Sequence, residues 1–314
     1  MPVPVVYKWR GSWEELQSGI VLLTWHGIDE RSSYQWLHDH GIGMGELYSP
    51  NTRKEGNLAA DVATDGVTDV TDKLLVRNKV SENTNIPSAT SVNKSAATEF
   101  EVTERMAMLP LADLPAGMYT LEAIYLNRQT GESYPISVPT VSLKIELNAD
   151  AKSAPELDLV TQLRSLAANL PKGADALESI FEQTGRINQY DPIQDYLVQA
   201  DLALSYRLML APRNLDWAYA LALSKVLQED SQGAIAALKQ VVRLDSQNPY
   251  AYAYLAFVYL YEWRGKDAQD TLKYALTLNP NLPELQALSG IASLMQGNVF
   301  KAWHFLDEFR RLNR

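Results

Sequence analysis

Ala234, Ala268 and Ala302 follow one another at intervals of 34 residues. The same interval links Leu238, Leu272 and Leu306, then Leu244, Leu278 and Leu312, and the small residues Ala222, Ala256 and Gly290. A fixed period of this length constrains the fold strongly. Each unit can bury its apolar face only against its neighbours, so the units must stack. Apolar residues within the stretch recur at three- and four-residue spacing, the helical signature. Pro212, Pro249, Pro280 and Pro283 mark unit boundaries, and turns between paired helices fall near Gly233, Gly265 and Gly297. Each unit therefore reads as two helices and a short turn. Such a stack offers a binding surface rather than a reaction centre.

The chain has 314 residues, enough for two domains, and 46% of them are hydrophobic, enough for two cores. A formal charge of −10 argues against a nucleic-acid partner or an anionic membrane surface, both of which call for clustered Lys and Arg. There are no cysteines, so disulfides, thiolate metal sites and a Cys nucleophile are excluded, and the compartment is unreadable. Met1 to Arg10 lacks the apolar segment of a signal peptide, and Ile20 to Leu23 is far short of a membrane span. The chain as given is expected to be soluble, on the cytoplasmic or the extracytoplasmic side of a membrane.

Residues 1–150 read as a β domain. Ile20 to Trp25 is a β-branched and aromatic run that suits a buried strand. After the Pro115-Ala116-Gly117 turn, Tyr119, Leu121, Ala123 and Tyr125 alternate with Thr120, Glu122, Ile124 and Leu126, which predicts a second strand. Asn127 to Gly131 reads as a hairpin connection, and Val141 to Leu147 as a further alternating strand. Asn51 to Thr98 is polar, and the segment from Val80 onward has too little apolar surface to offset the entropy of ordering it. It reads as a mobile loop with a short strand at Leu74 to Val76. Asn148 to Pro155 joins this half to a helical domain at 151–314. That domain opens with an amphipathic helix on Leu157, Leu159, Leu163 and Leu166, closed by Pro171 and Gly173.

The helical half resembles the tetratricopeptide repeat. Its best unit, 249–282, has Tyr252, Leu255, Ala256, Tyr259, Ala268, Leu272, Ala275 and Pro280 at the family's marked positions. The unit 215–248 departs from the pattern at Lys225, and 283–314 departs at Ser289 and Ser293. A degenerate unit ends near Pro212, with Ala200, Leu204 and Leu210 in register and Asp191-Pro192 interrupting its first helix. The resemblance implies a concave groove lined by first helices. On this chain the lining is Tyr219, Leu223, Leu227, Tyr250, Ala253, Phe257, Leu260, Tyr261, Ile291 and Leu294. That set is apolar, whereas a groove that captures a carboxylate tail needs Lys, Arg and Asn. An amphipathic helix or hydrophobic segment of a protein partner fits it instead, unless the chain fills the groove itself.

Leu114 to Leu121 with Tyr125 and Thr130-Gly131-Glu132 resembles a motif of immunoglobulin-like sandwiches, in which the tyrosine caps a corner. The expected architecture is thus an immunoglobulin-like β-sandwich followed by an all-α tetratricopeptide domain. Leu22 to Trp25 with the Trp36 to Gly45 string resembles the extramembrane tail of cyanobacterial glycosyltransferase-like membrane proteins. Within that string His38 and His40 share a face if the segment is a strand. With His26 they are the available metal candidates, but spacings of twelve and two match no recognised ligand set. The acidic cluster Asp61, Asp65, Asp69 and Asp72 lacks calcium-loop spacing, and His304 reads as packing.

No cofactor, metal or catalytic set follows from spacing. The leading expectation is a non-enzymatic adaptor or assembly factor. The alternatives are an accessory domain of an envelope glycosyltransferase-like enzyme, associated with a membrane protein, or a carbohydrate-binding sandwich using Trp13, Trp25 and Trp36.

Overall fold

The computed structural model describes residues 2–27, 35–42, 46–48, 99–110, 114–138, 142–145, 157–173, 177, 180, 182 and 195–313. The loop read at 51–98, its Leu74 to Val76 strand, the acidic cluster, the 148–155 join and Asp191-Pro192 lie outside them. The chain divides into two compact units, Met1–Thr161 and Gln162–Arg314.

The first unit is sheet-rich. Its strands are β1 (Val3–Gly11), β2 (Gly19–Gly27), β3 (Gln35–Leu37), β4 (His40–Gly41), β5 (Glu46–Tyr48), β6 (Phe100–Met108), β7 (Gly117–Asn127), β8 (Ser133–Ile136) and β9 (Ser142–Ile145). One sheet has the order β1-β6-β5. The other runs β3-β2-β7-β8, with β4 also on β2 and β9 also on β7. All of these pairings are antiparallel. In β1, Val5, Tyr7 and Trp9 turn inward while Pro4, Val6 and Lys8 alternate with them. Pro4 is tolerated because β1 is an edge strand. Between β1 and β2, Ser12 and Glu15 close a reciprocal capping box at the start of helix α1 (Trp13–Ser18).

Both sheets feed one core, with Val5, Tyr7, Trp9, Val102 and Met106 from the first and Val21, Leu23, Trp25, Tyr119 and Tyr125 from the second. The hairpin between β7 and β8 forms at the expected place. Asn127 Oδ1 accepts from the amides of Gln129 and Thr130, and Gly131 takes a φ of 74° that suits glycine. The Tyr119 hydroxyl donates to Pro115 O at 2.8 Å, tying the start of β7 to the turn before it.

Helix α2 (Leu159–Ala167) carries the division between the units and is followed by a tight turn at Leu170–Lys172. Helix α3 (Asp195–Leu210) precedes three helix pairs: α4 (Leu215–Leu227) with α5 (Ser231–Leu244), α6 (Pro249–Tyr261) with α7 (Gly265–Leu278), and α8 (Pro283–Met295) with α9 (Val299–Leu312). Every start and every end in one pair recurs 34 residues later in the next. Ala234, Ala268 and Ala302 are all buried, as the close approach of paired helices requires.

The turns inside the pairs fall near the expected glycines, but glycine is the left-handed residue in one of them. Gly233 lies inside α5 and Gly265 opens α7. The left-handed positions are Glu229, Trp263 and Gly297, again 34 apart, with φ of 57°, 58° and 74°. In each turn the next residue's amide reaches back five places, Asp230 to Lys225, Arg264 to Tyr259 and Asn298 to Ser293. The left-handed residue itself bonds three places back, which completes a Schellman end. Two of three such ends therefore place a side chain where glycine is least strained.

Of the off-pattern residues, Lys225 and Ser293 are satisfied locally, whereas the buried Ser289 hydroxyl has no hydrogen-bond partner among the described residues. Lys225 Nζ lies 3.0 Å from Asp201 Oδ2 and 3.2 Å from Asp230 Oδ2. Partial burial pulls its pKa down, but the two carboxylates outweigh that and hold it above the ordinary lysine value. Buried Ser293 has its Oγ 2.9 Å from Gln269 Oε1 and 2.8 Å from Ser289 O.

Candidate peptide-binding face

The first helices α4, α6 and α8 repeat one inward pattern. Counting from Leu215, Pro249 and Pro283, the ninth residues are Leu223, Phe257 and Ile291, and the thirteenth are Leu227, Tyr261 and Met295. Their environments diverge along the stack. Tyr219, Leu223 and Leu227 are buried, so α4 contributes little free surface. Phe257 is 55% exposed, Tyr261 62%, Ile291 48% and Leu294 57%, and Leu260 is half-buried. Trp263, at the left-handed turn after Tyr261, is 84% exposed. These residues form an apolar stripe on the C-terminal halves of α6 and α8.

The N-terminal half of α6 is covered by the chain itself. The Tyr254 hydroxyl donates to Leu170 O at 2.9 Å, and Asn248 Nδ2 donates to Pro171 O at 3.0 Å. Tyr250 packs against Gly173 so closely that a Cβ there would lie 2.2 Å from its ring. Gly173 also has a φ of 94°, a conformation that favours glycine. Asn248 is held in place by its neighbours. Its Nδ2 also donates to Asp245 Oδ2 at 2.9 Å, the Tyr219 hydroxyl donates to the same oxygen at 2.8 Å, and Asn248 Oδ1 caps the Tyr250 amide at 3.0 Å. Burial and the adjacent Asp245 carboxylate push the Tyr219 hydroxyl well above the ordinary tyrosine range; burial does the same to Tyr254. Both remain donors at any working pH. The expected lining thus divides. Tyr250 meets a segment of its own chain, and Phe257, Tyr261, Ile291 and Leu294 are exposed among the described residues.

Asn248 and Tyr254 were not among the expected lining residues. Tyr254 sits at the sixth position of the unit, where the neighbouring units have Ala220 and Leu288, so the register gave a position without marking its chemistry. Asn248 was readable as an N-cap before Pro249, but its second bond is to a residue 77 positions away.

The sheet unit holds a separate polar cluster. His38, Asp39, His40, Glu104 and Asp158 are all buried. His40 Nε2 lies 3.1 Å from Glu104 Oε2, and Trp9 Nε1 donates to the same carboxylate. His38 Nδ1 lies 2.8 Å from the Tyr7 hydroxyl, and its Nε2 lies 3.3 Å from Asp158 Oδ2. Asp39 Oδ1 accepts from the Leu23 amide at 3.0 Å. Burial opposes charge on His40, but Glu104, Asp158 and Asp39 outweigh it and raise its pKa. Burial acts against the Asp158 carboxylate, yet His38 and the Thr161 amide and hydroxyl hold its pKa below the ordinary value.

The three metal candidates do not converge. His26 pairs instead with the exposed Glu122 on β7, at 2.8 Å. Among the described residues no group of three or more His, Cys, Asp or Glu is placed to hold a metal ion. Trp25 and Trp36 are buried and stacked on each other with centroids 5.4 Å apart, so neither offers a face to a sugar. Among the described residues no helix is long and apolar enough to cross a membrane.

No protein-family model and no curated protein matches the sequence. Among solved structures, the helical half is similar to MamA. The chain "MamA MSR-1 C2" has 17% identity and a TM-score of 0.35, with 49% of this chain and 96% of that chain covered. A further crystal structure of MamA shows 16% identity and a TM-score of 0.36 over 50% of this chain and 95% of its own. The "MamA RS-1 ArsTM double mutant" shows 15% identity and a TM-score of 0.36 over 49% and 94%.

Proposed function

We propose that the chain is a non-enzymatic interaction scaffold that binds an apolar helix or hydrophobic segment of a protein partner on the stripe of α6 and α8. The observation that carries this reading is the exposure of Phe257, Tyr261, Ile291 and Leu294 on first helices that are otherwise largely packed. Contiguous apolar surface on a soluble repeat marks an interaction site, and a helical partner meets it through residues at three- and four-residue spacing. In the same reading the sheet unit is an immunoglobulin-like module that positions the repeats. The bond from the Tyr119 hydroxyl to Pro115 O supports that assignment, as a tyrosine corner does.

The test is a pull-down with the full chain and three variants. Phe257→Glu and Tyr261→Glu should lose a stoichiometric partner, while Met209→Glu, an equally exposed site on α3, should keep it. Retention of every partner by a normally folded Phe257→Glu protein would overturn the reading.

A further inference from the structure

The face that binds partners in this reading is half occupied, and the occupant is informative. It is a turn, Leu170-Pro171-Lys172-Gly173, that belongs to no repeat. It is recognised through main-chain atoms. Tyr254 donates to the first carbonyl and Asn248 to the second. Leu170 is buried as an anchor, whereas Lys172 is exposed and its ammonium bonds back to Asn169. Gly173 is required at the fourth place by the Tyr250 ring and by its own φ. Leucine and glycine are thus favoured at the first and fourth places, the second is read through its carbonyl, and the third is unread. The receiving groups are fixed through Asp245, which holds both Tyr219 and Asn248.

We propose that Asn248, Tyr250 and Tyr254 form a peptide site for a Leu-Pro-x-Gly turn, which Leu170–Gly173 occupies as a built-in competitor for partner segments of the same chemistry. The proposal rests on the scaffold reading and extends it. The site continues the bare stripe of Phe257 and Tyr261 along the same helix, so a partner that displaces the turn gains the whole face. Two carbonyls and a side-chain-free residue are features that another polypeptide can reproduce. A tethered competitor acts at an effective concentration of order mM. An incoming segment is weakened by the fraction of time the site stands occupied.

The experiment uses the full chain and a fluorescent peptide copying residues 166–177. Gly173→Ala should eject the turn and leave the pocket intact. Leu170→Gly should do the same by removing the anchor. Each opened variant should bind the peptide about tenfold or more tighter than the parent chain in an anisotropy titration. Adding Tyr254→Phe should weaken that binding about tenfold through the lost hydroxyl. A peptide with valine at the position of Gly173 should not bind.

The proposal is overturned if both opened variants keep the parent's helical circular dichroism and cooperative melt yet take no peptide. It is equally overturned if both unfold, because the turn is then a strut and not an exchangeable ligand. The pull-down separates this from the scaffold reading. A chain that loses its partner on Phe257→Glu and fails here keeps the scaffold and loses the competitor.

Discussion

The two units place their chemistry in opposite positions. The sheet unit encloses titratable groups: His40 and Glu104 lie in its core, as do His38 and Asp158. The helical unit displays apolar surface: Phe257, Tyr261, Trp263 and Leu294 are largely exposed. Enclosed charge is costly unless every partner is present, and it makes a unit sensitive to substitution and to pH. Displayed apolar surface costs the fold little and is useful when something covers it. In the proposed reading the exposed residues of α6 and α8, rather than the titratable residues of the sheet core, carry the function.

This contrast can be broken most forcefully in the sheet unit. Glu104→Ala should strand the Trp9 indole N–H and the His40 ring and cost about 3–5 kcal/mol in urea unfolding. Glu104→Gln should cost less, because it keeps an acceptor for Trp9. A loss under 1 kcal/mol for Glu104→Ala would mean that the network contributes little. In the helical unit, Ala268→Leu should cost about 1–3 kcal/mol by overfilling the contact between α6 and α7.

The same contrast predicts a pH profile. The pKa of His40 is raised in the folded state, so its stabilisation is complete below the ordinary 6.5 and fades as pH climbs through the raised value. The pKa of Asp158 is lowered, so its share is present above the ordinary 3.8 and fades as pH falls through the lowered value. Melts followed by tryptophan fluorescence, with Trp9, Trp25 and Trp36 in the sheet core, should therefore weaken at both limits. His40→Asn should abolish the alkaline limb.

Smaller effects test the turns and the stripe. Trp263→Gly should raise stability by about 0.5–1 kcal/mol by relieving the left-handed strain. Phe257→Glu should leave the melt unchanged within about 0.5 kcal/mol while abolishing partner capture. A large destabilisation by Phe257→Glu would show the residue to be packing rather than surface.

Periodicity made the helical half legible. Ala234, Ala268 and Ala302 gave the register, and the helix bounds repeat it at every start and end. A β-branched and aromatic run revealed β2, alternation revealed β7, and a connection at Asn127 to Gly131 placed the hairpin. Alternation was equally present in Val3, Val5, Tyr7 and Trp9, but Pro4 in the run obscured an edge strand. The turns were readable near Gly233, Gly265 and Gly297, but two of the left-handed residues themselves are Glu229 and Trp263, which no composition signal marks. Of the site, the first-helix positions were readable. What covers them was not, because the bonds from Tyr254 to Leu170 and from Asn248 to Pro171 join residues that no period relates. The histidine cluster was visible as a string, but its partners Glu104 and Asp158 lie far along the chain.

The ladder that joins Val3 to Met108 and Gly11 to Phe100 bears on the order of folding. Closing so long a loop must precede any return from that sheet, which slows its formation. Each helix pair, by contrast, closes within a few tens of residues and can nucleate independently. The sheet unit is therefore expected to fold more slowly than the helix pairs that follow it in the chain.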